Sequence, residues 1–182
     1  ALQETFSGQS ELDVAAHYYL KGSNSDYFSD KFRKIVGNDE TVWEAPGYEV
    51  PTVSLSRWPY AQYHTNLDDE KIIFEDRLEE GVKAVLGICS ILETNSFVQR
   101  DFTGLIALSN PKYDLYIRTN DPSSPNKVPP DQKKWNYLMD CIPRYFDGKT
   151  SVLAMAVKHD LPFDQVMAYV KKFEAKKLVH FL

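Results

Sequence analysis

Apolar side chains recur at three- and four-residue steps between Asp76 and Glu93. Leu78, Val82, Val85, Cys89 and Leu92 fall on one stripe there, which predicts the longest helix of the chain. The same period brings Leu12, Ala15, Ala16, Tyr19 and Leu20 to one face. Ser10-Glu11-Leu12-Asp13 has the spacing of an N-cap with a carboxylate at the third helical position, and Gly22-Ser23-Asn24-Ser25 ends the helix. Alternation in place of helical spacing predicts strands at Tyr27–Val36, interrupted by charges, and at Val50–Leu55, where Pro51 gives up an N–H near the start. Gly37-Asn38-Asp39-Glu40 and Ala45-Pro46-Gly47 read as turns. Helices alternating with strands predict an α/β arrangement for residues 1–96, a mixed sheet with packed helices.

The pattern changes after Asn95. Leu105–Leu108 and Tyr113–Thr119 read as short strands. Four prolines between Asn120 and Pro130 exclude regular structure, so residues 120–131 are expected to form a mobile, Pro-rich loop. Trp135, Leu138, Met139 and Ile142 then mark an amphipathic helix strained or ended by Pro143. Asp147-Gly148 is a turn, and Val152–His159 is a second helix. A third begins at Leu161-Pro162, with Asp160 as its cap and Val166, Met167, Val170 and Phe173 on its buried face. Leu178–Leu182 reads as a closing strand. Three short helices with flanking strands give residues 97–182 a winged-helix pattern.

Composition narrows the class. At 182 residues, with 43% hydrophobic and 26% charged positions, the chain is long enough for a sizeable core and is not of disordered type. No apolar run has the length of a membrane span, and Ala1-Leu2-Gln3-Glu4 lacks a signal-peptide layout, so a cytoplasmic protein without membrane contact is expected. Cys89 and Cys141, both in apolar helical contexts, are expected to be buried free thiols. The net charge of −5 is uneven. Residues 132–182 carry nine Lys/Arg against five Asp/Glu, whereas the remainder carries twelve against twenty-one. That excess is too modest to imply nucleic acid. Asp160 and Asp164 near the start of the third helix also have the wrong sign for phosphate, so a packing or protein-interaction role suits this part better than DNA binding.

Candidate chemistry gathers at Tyr60–Asp69, which holds one of four histidines among aromatics and just ahead of two carboxylates. A lone His64 also suits a capped surface turn, but imidazole is the commonest metal ligand. No Gly-rich phosphate loop, Gly-x-Ser-x-Gly elbow or His-x₃-His spacing occurs, and His17, His159 and His180 are assigned no metal.

The series Gly37-Asn38-Asp39-Glu40, Trp43, Ala45-Pro46-Gly47-Tyr48, Arg57 and Tyr63-His64-Thr65-Asn66-Leu67-Asp68-Asp69, followed by Asp147-Gly148, resembles a bacterial branch of the zinc-dependent aminopeptidase-like proteins. That branch is a domain of unknown function with a C-terminal winged-helix-like domain, and the likeness spans residues 11–182. The resemblance implies that His64 is the last ligand of a zinc site. Asp68 or Asp69 would fix its tautomer, and Asp39, Glu40, Trp43, Arg57, Tyr63 and Asp68 would line or support the cleft for a peptide-like substrate. Asp39-Glu40 equally suits a solvated turn, and Trp43 a core position. In the complete site two metals about 3.5–4 Å apart would activate a bridging water. The resemblance places the other ligands ahead of residues 11–21, and none is found in the ten residues before them. The chain is therefore expected to be a C-terminal portion, inactive alone, whose partner is a missing N-terminal half, a second chain or a further copy of itself.

Overall fold

In a computed structural model that describes residues 1–23, 26–117 and 131–182, the chain is a mixed α/β protein of two units, Ala1–Thr94 and Asn95–Leu182. The first unit opens with β1 (Leu2–Gln3) at the centre of a three-stranded sheet. It pairs parallel with β2 (Ser29–Asp30) and antiparallel with β3 (Ser54–Leu55), so that Leu2 faces Ser29 on one side and Leu55 on the other.

The expected strands at 27–36 and 50–55 shrink to two residues each. Beyond Asp30 the chain turns, with Arg33 at φ +62, and ahead of Ser54 Glu49 stands at φ +49. A strand also cannot outlast its partner, and β1 is only two residues long.

Helix α1 (Glu11–Gly22) starts as its cap predicts. Ser10 Oγ accepts from Asp13 N at 3.2 Å, and the Asp13 carboxylate accepts from Ser10 N at 2.9 Å. The same carboxylate accepts from Thr5 N and Thr5 Oγ1, so one buried side chain ties β1 to the helix. After α2 (Glu40–Trp43) and a 3₁₀ turn at Glu70–Ile72 comes α3 (Glu75–Thr94), which packs on α1.

The face of α3 that meets α1 is not the expected one. Ile88 is buried with Ala84, Gly87 and Ile91 beside it, and a Cβ at Gly87 would collide with the Tyr19 ring. Leu78, Val82 and Val85 are more than half exposed. Cys89 is exposed on the same side and Cys141 half-buried, so neither thiol is the buried one expected. At about 100° per residue the two apolar stripes lie roughly 120° apart round the helix.

The second unit begins with β4 (Phe97–Arg100), a strand the sequence pattern did not reveal. It is the centre of an antiparallel sheet, β5 (Asp147–Ser151)–β4–β6 (Val179–Phe181). Leu105–Leu108 is no strand, and neither is the described part of the segment expected at 113–119. A turn closed by Asn110 N to Ala107 O and by Asp114 N to Asn110 O carries Leu115 back to Leu108. The Pro-rich loop expected at 120–131 lies outside the described residues, apart from Asp131.

Helix α4 (Gln132–Tyr145) runs through Pro143, which stands two residues from its end. Helix α5 (Val152–His159) is capped by Ser151. Asp160 does not cap α6 (Phe163–Ala175). It closes α5 in a left-handed conformation, φ +50, and its carboxylate meets Lys134 Nζ at 2.8 Å, while Pro162 stands at the α6 N-cap. Among the described residues no helix is long and apolar enough to cross a membrane.

Candidate functional site

The residues singled out by sequence fall into two groups, both within Ala1–Thr94, and no hydrogen bond or ring contact joins the groups among the described residues. The first group surrounds α2. Glu40 is neither a solvated turn residue nor an open cleft residue, because it is buried. Its carboxylate accepts from Asn38 N at 2.8 Å, Gln3 Nε2 at 3.3 Å and Arg33 at 3.4 Å. Burial works against its ionisation, but these donors outweigh burial and hold the carboxyl below its usual range. Gln3 in turn accepts from Ile35 N and Val36 N. Glu40 thus fastens β1 to the 35–40 turn.

Asp39, one residue earlier, is exposed and makes no capping hydrogen bond. Trp43 is 56% exposed, which removes the core reading of this ring. It precedes a turn in which Tyr48 N bonds Ala45 O, with Gly47 at φ +91 supplying the backbone conformation that L-residues rarely adopt. Glu44 holds this corner by accepting from both Phe6 N and Thr52 N.

The second group contains His64. Trp58, Tyr60 and Tyr63 meet edge to face, with ring centroids 4.8–5.9 Å apart. The imidazole of His64 stacks on Tyr63 at 3.9 Å and 17°. Its backbone is left-handed, φ +57, inside a turn that Thr65 closes by bonding Gln62 O through both its N–H and its hydroxyl. Neither expected carboxylate reaches the ring. Asp68 accepts from Tyr60 OH at 3.3 Å, and Asp69 caps the following 3₁₀ turn and meets Lys71. Arg57 is turned to α3, where its guanidinium pairs with Glu80.

The four histidines differ in their partners. His17 Nε2 lies 3.0 Å from Glu4 Oε1 and its Nδ1 3.0 Å from Tyr27 OH. His159 bonds Tyr145 OH at 3.0 Å, and His180 meets Asp101 at 2.9 Å. His64 is exposed and makes no hydrogen bond or ion pair among the described residues, so both of its ring nitrogens are uncommitted. A zinc ion takes three or four protein ligands. No group of three His, Cys, Asp or Glu placed to hold a metal occurs among the described residues, so these residues do not themselves compose a zinc site.

The Glu4–His17–Tyr27 line is one feature the sequence hid. Its members are separated by 13 and 10 residues, and no local spacing joins them.

A family model for a domain of unknown function, DUF4910, matches residues 1–95. The chain belongs to that family. No curated protein matches it. Among solved structures it is similar to a candidate peptidase from Clostridium acetobutylicum, with a TM-score of 0.67 and 20% identity. The match covers all of this chain but only 38% of that one. At that identity the likeness shows the fold alone, and the DUF4910 chain spans well under half the length of its structural neighbour.

Proposed function

We propose that the chain is the C-terminal portion of a zinc-dependent, aminopeptidase-like hydrolase acting on peptides, and that His64 is the metal ligand it contributes. The observation that carries this reading is the free imidazole. Three histidines are engaged within the chain, while His64 stands open on a left-handed turn with Tyr63 against its face. A ligand needs an uncommitted nitrogen and a fixed ring, and the stack supplies the second. The remaining donors would come from polypeptide outside these 182 residues, in the same product or in a second chain. Trp43, Tyr63 and Arg57 would wall the substrate cleft, with Asp39 and Asp68 at its edge. Glu40, bonded to Gln3 and Asn38, would support it. By themselves the 182 residues hydrolyse no peptide.

The helix–strand–helix–helix–strand order of α4, β5, α5, α6 and β6 supports a winged-helix-like reading of the second unit. Its role would be packing or protein interaction. Asp164 lies in the first turn of α6, and Lys171, Lys172, Lys176 and Lys177 gather at the opposite end, which disfavours base-edge contact by that helix.

The test is metal analysis of the full gene product beside its His64→Ala variant. The variant is expected to lose at least one zinc per chain together with peptidase activity. Unchanged zinc content would remove His64 from the site.

A further inference from the structure

Helix α3 has more apolar surface than its neighbours in this chain use. One face meets α1 through Gly87 and Ile88. On the other, Phe74, Leu78, Val82 and Val85 are each more than half exposed, Cys89 continues the line, and Ile73 and Leu86 flank it. These residues follow helical spacing, so they form one continuous ridge about 22 Å long, not scattered exposed positions. A rim of charge borders the ridge, with Lys83 and Glu79 paired at 2.7 Å and Arg77 and Glu80 at 3.2 Å. An apolar centre inside a charged rim is the anatomy of a surface made to be covered.

Two further observations say what covers it. Ala1–Thr94 contains only five buried hydrophobic residues among those described: Leu2, Ala15, Ala16, Leu20 and Ile88. That is a thin core for a unit of this length. The structural neighbour matches this chain along its whole length yet has most of its own residues outside the match.

We infer that the Phe74–Cys89 ridge is the seat of further polypeptide from the same gene product, corresponding to the unmatched part of the neighbour. An apolar face of that polypeptide packs on α3 beside α1, roughly 120° round the helix, and completes the core of the first unit. The inference rests on the proposed reading of the chain as a portion of a larger hydrolase, but it does not depend on the metal.

Cys89 provides the probe. In a Cys141→Ser background it is the only thiol of these 182 residues, and its reaction with a maleimide reports whether the ridge is open. The 182-residue chain is expected to label rapidly. The full gene product, with any thiols outside residues 1–182 replaced by serine, is expected to label at least about tenfold more slowly, the protection a packed helix face provides. Val82→Lys is expected to leave the midpoint of unfolding of the 182-residue chain unchanged, and in the full product to restore fast labelling and lower the midpoint.

Equal labelling of the two forms overturns the inference, as does a gene product that carries no further residues. Slow labelling in the 182-residue chain, with sedimentation at twice 20.9 kDa that Val82→Lys abolishes, overturns it in favour of a second copy on the ridge. Zinc content is read separately. A protected Cys89 with no effect of His64→Ala on zinc leaves the seat standing and removes the metal assignment. The reverse pair of results removes the seat alone.

Discussion

The two units of this chain reach order by different means. Asn95–Leu182 buries twenty-one of the described hydrophobic residues, against five in Ala1–Thr94. In its core the buried rings of Trp135, Tyr169, Phe173 and Phe146 stand edge to face in series, 5.1–5.7 Å apart. Each large apolar side chain buried there contributes about 1.5–3 kcal/mol, so the unit carries its own driving force. Ala1–Thr94 instead buries Gln3, Thr5, Asp13 and Glu40, four of the six buried polar residues described. These are fastened by short, charge-assisted hydrogen bonds. Such bonds fix geometry well and each adds as much as one buried apolar side chain, about 1.5–3 kcal/mol net, but they are too few to match twenty-one buried residues. The contrast teaches that polar contacts tie β1 to α1 and to the 35–40 turn in the first unit, while an exposed histidine and an apolar ridge stand outside those contacts.

The largest effect that tests this contrast is core truncation. Phe173 is fully buried between Phe146 and Tyr169, and Phe173→Ala is expected to cost about 3–5 kcal/mol in urea unfolding, with loss of amide protection in α4–α6. Leu78→Ala, of similar chemistry but on the exposed ridge, is expected to stay within about 0.5 kcal/mol in the same 182-residue chain. A comparable cost for both would mean that the ridge is already covered and the contrast false.

Next in size is the packing of α1 on α3. Gly87→Ala places a methyl group into the Tyr19 ring, and overpacking of this kind costs about 1–3 kcal/mol, less up to about 1 kcal/mol regained from removing a helix-interior glycine. Hydrogen exchange is expected to quicken in α1 and α3 and to stay unchanged in α4–α6. Tyr19→Leu in the same molecule is expected to recover most of the loss. Exchange that quickens equally in both units would show that they unfold as one.

How much of this was readable beforehand depends on whether the deciding interaction is local. Helix α1 declares itself through Ser10 and Asp13, which cap one another three residues apart. The periodicity of Leu78, Val82 and Val85 shows that α3 is helical and amphipathic, but it reads the same whether the stripe is covered or open. The sign of the true packing face was Gly87, a mid-helix glycine where another ring approaches. Strand β4 was missed because four residues with only Val98 buried leave no alternation to detect. At the candidate site the sequence brings out His64 but not what distinguishes it. That distinction needs the long-range partners of the other histidines, such as Glu4 for His17 and Asp101, 79 residues from His180.

The smallest effect concerns acid, and it runs against intuition: the better-packed unit is expected to soften first. Burial pushes the His159 imidazole below its ordinary pKa, and the neighbouring Lys158 charge adds to this. The unfolded chain therefore binds the proton more readily than the folded one, and His159 supports folding fully above the unfolded value of about 6.5. That support is lost as pH falls through 6.5 toward the lowered folded value. Asp13 and Glu40 have the opposite chemistry. Burial opposes their ionisation, but hydrogen bonds from Thr5 and Ser10, and from Asn38 and Gln3, outweigh it and hold both carboxyls below their ordinary range. Their contribution is present above the unfolded values near about 4 and is lost only as pH falls below them. Amide exchange corrected for its intrinsic pH dependence is thus expected to show α4–α6 losing protection from about pH 6.5 downward, with α1 keeping its own until about pH 4. His159→Gln keeps a partner for the Tyr145 hydroxyl, 3.0 Å from the imidazole, while removing the titration. If the loss in α4–α6 between those two pH values persists in that variant, His159 is not its cause, and the units differ in packing without differing in their response to acid.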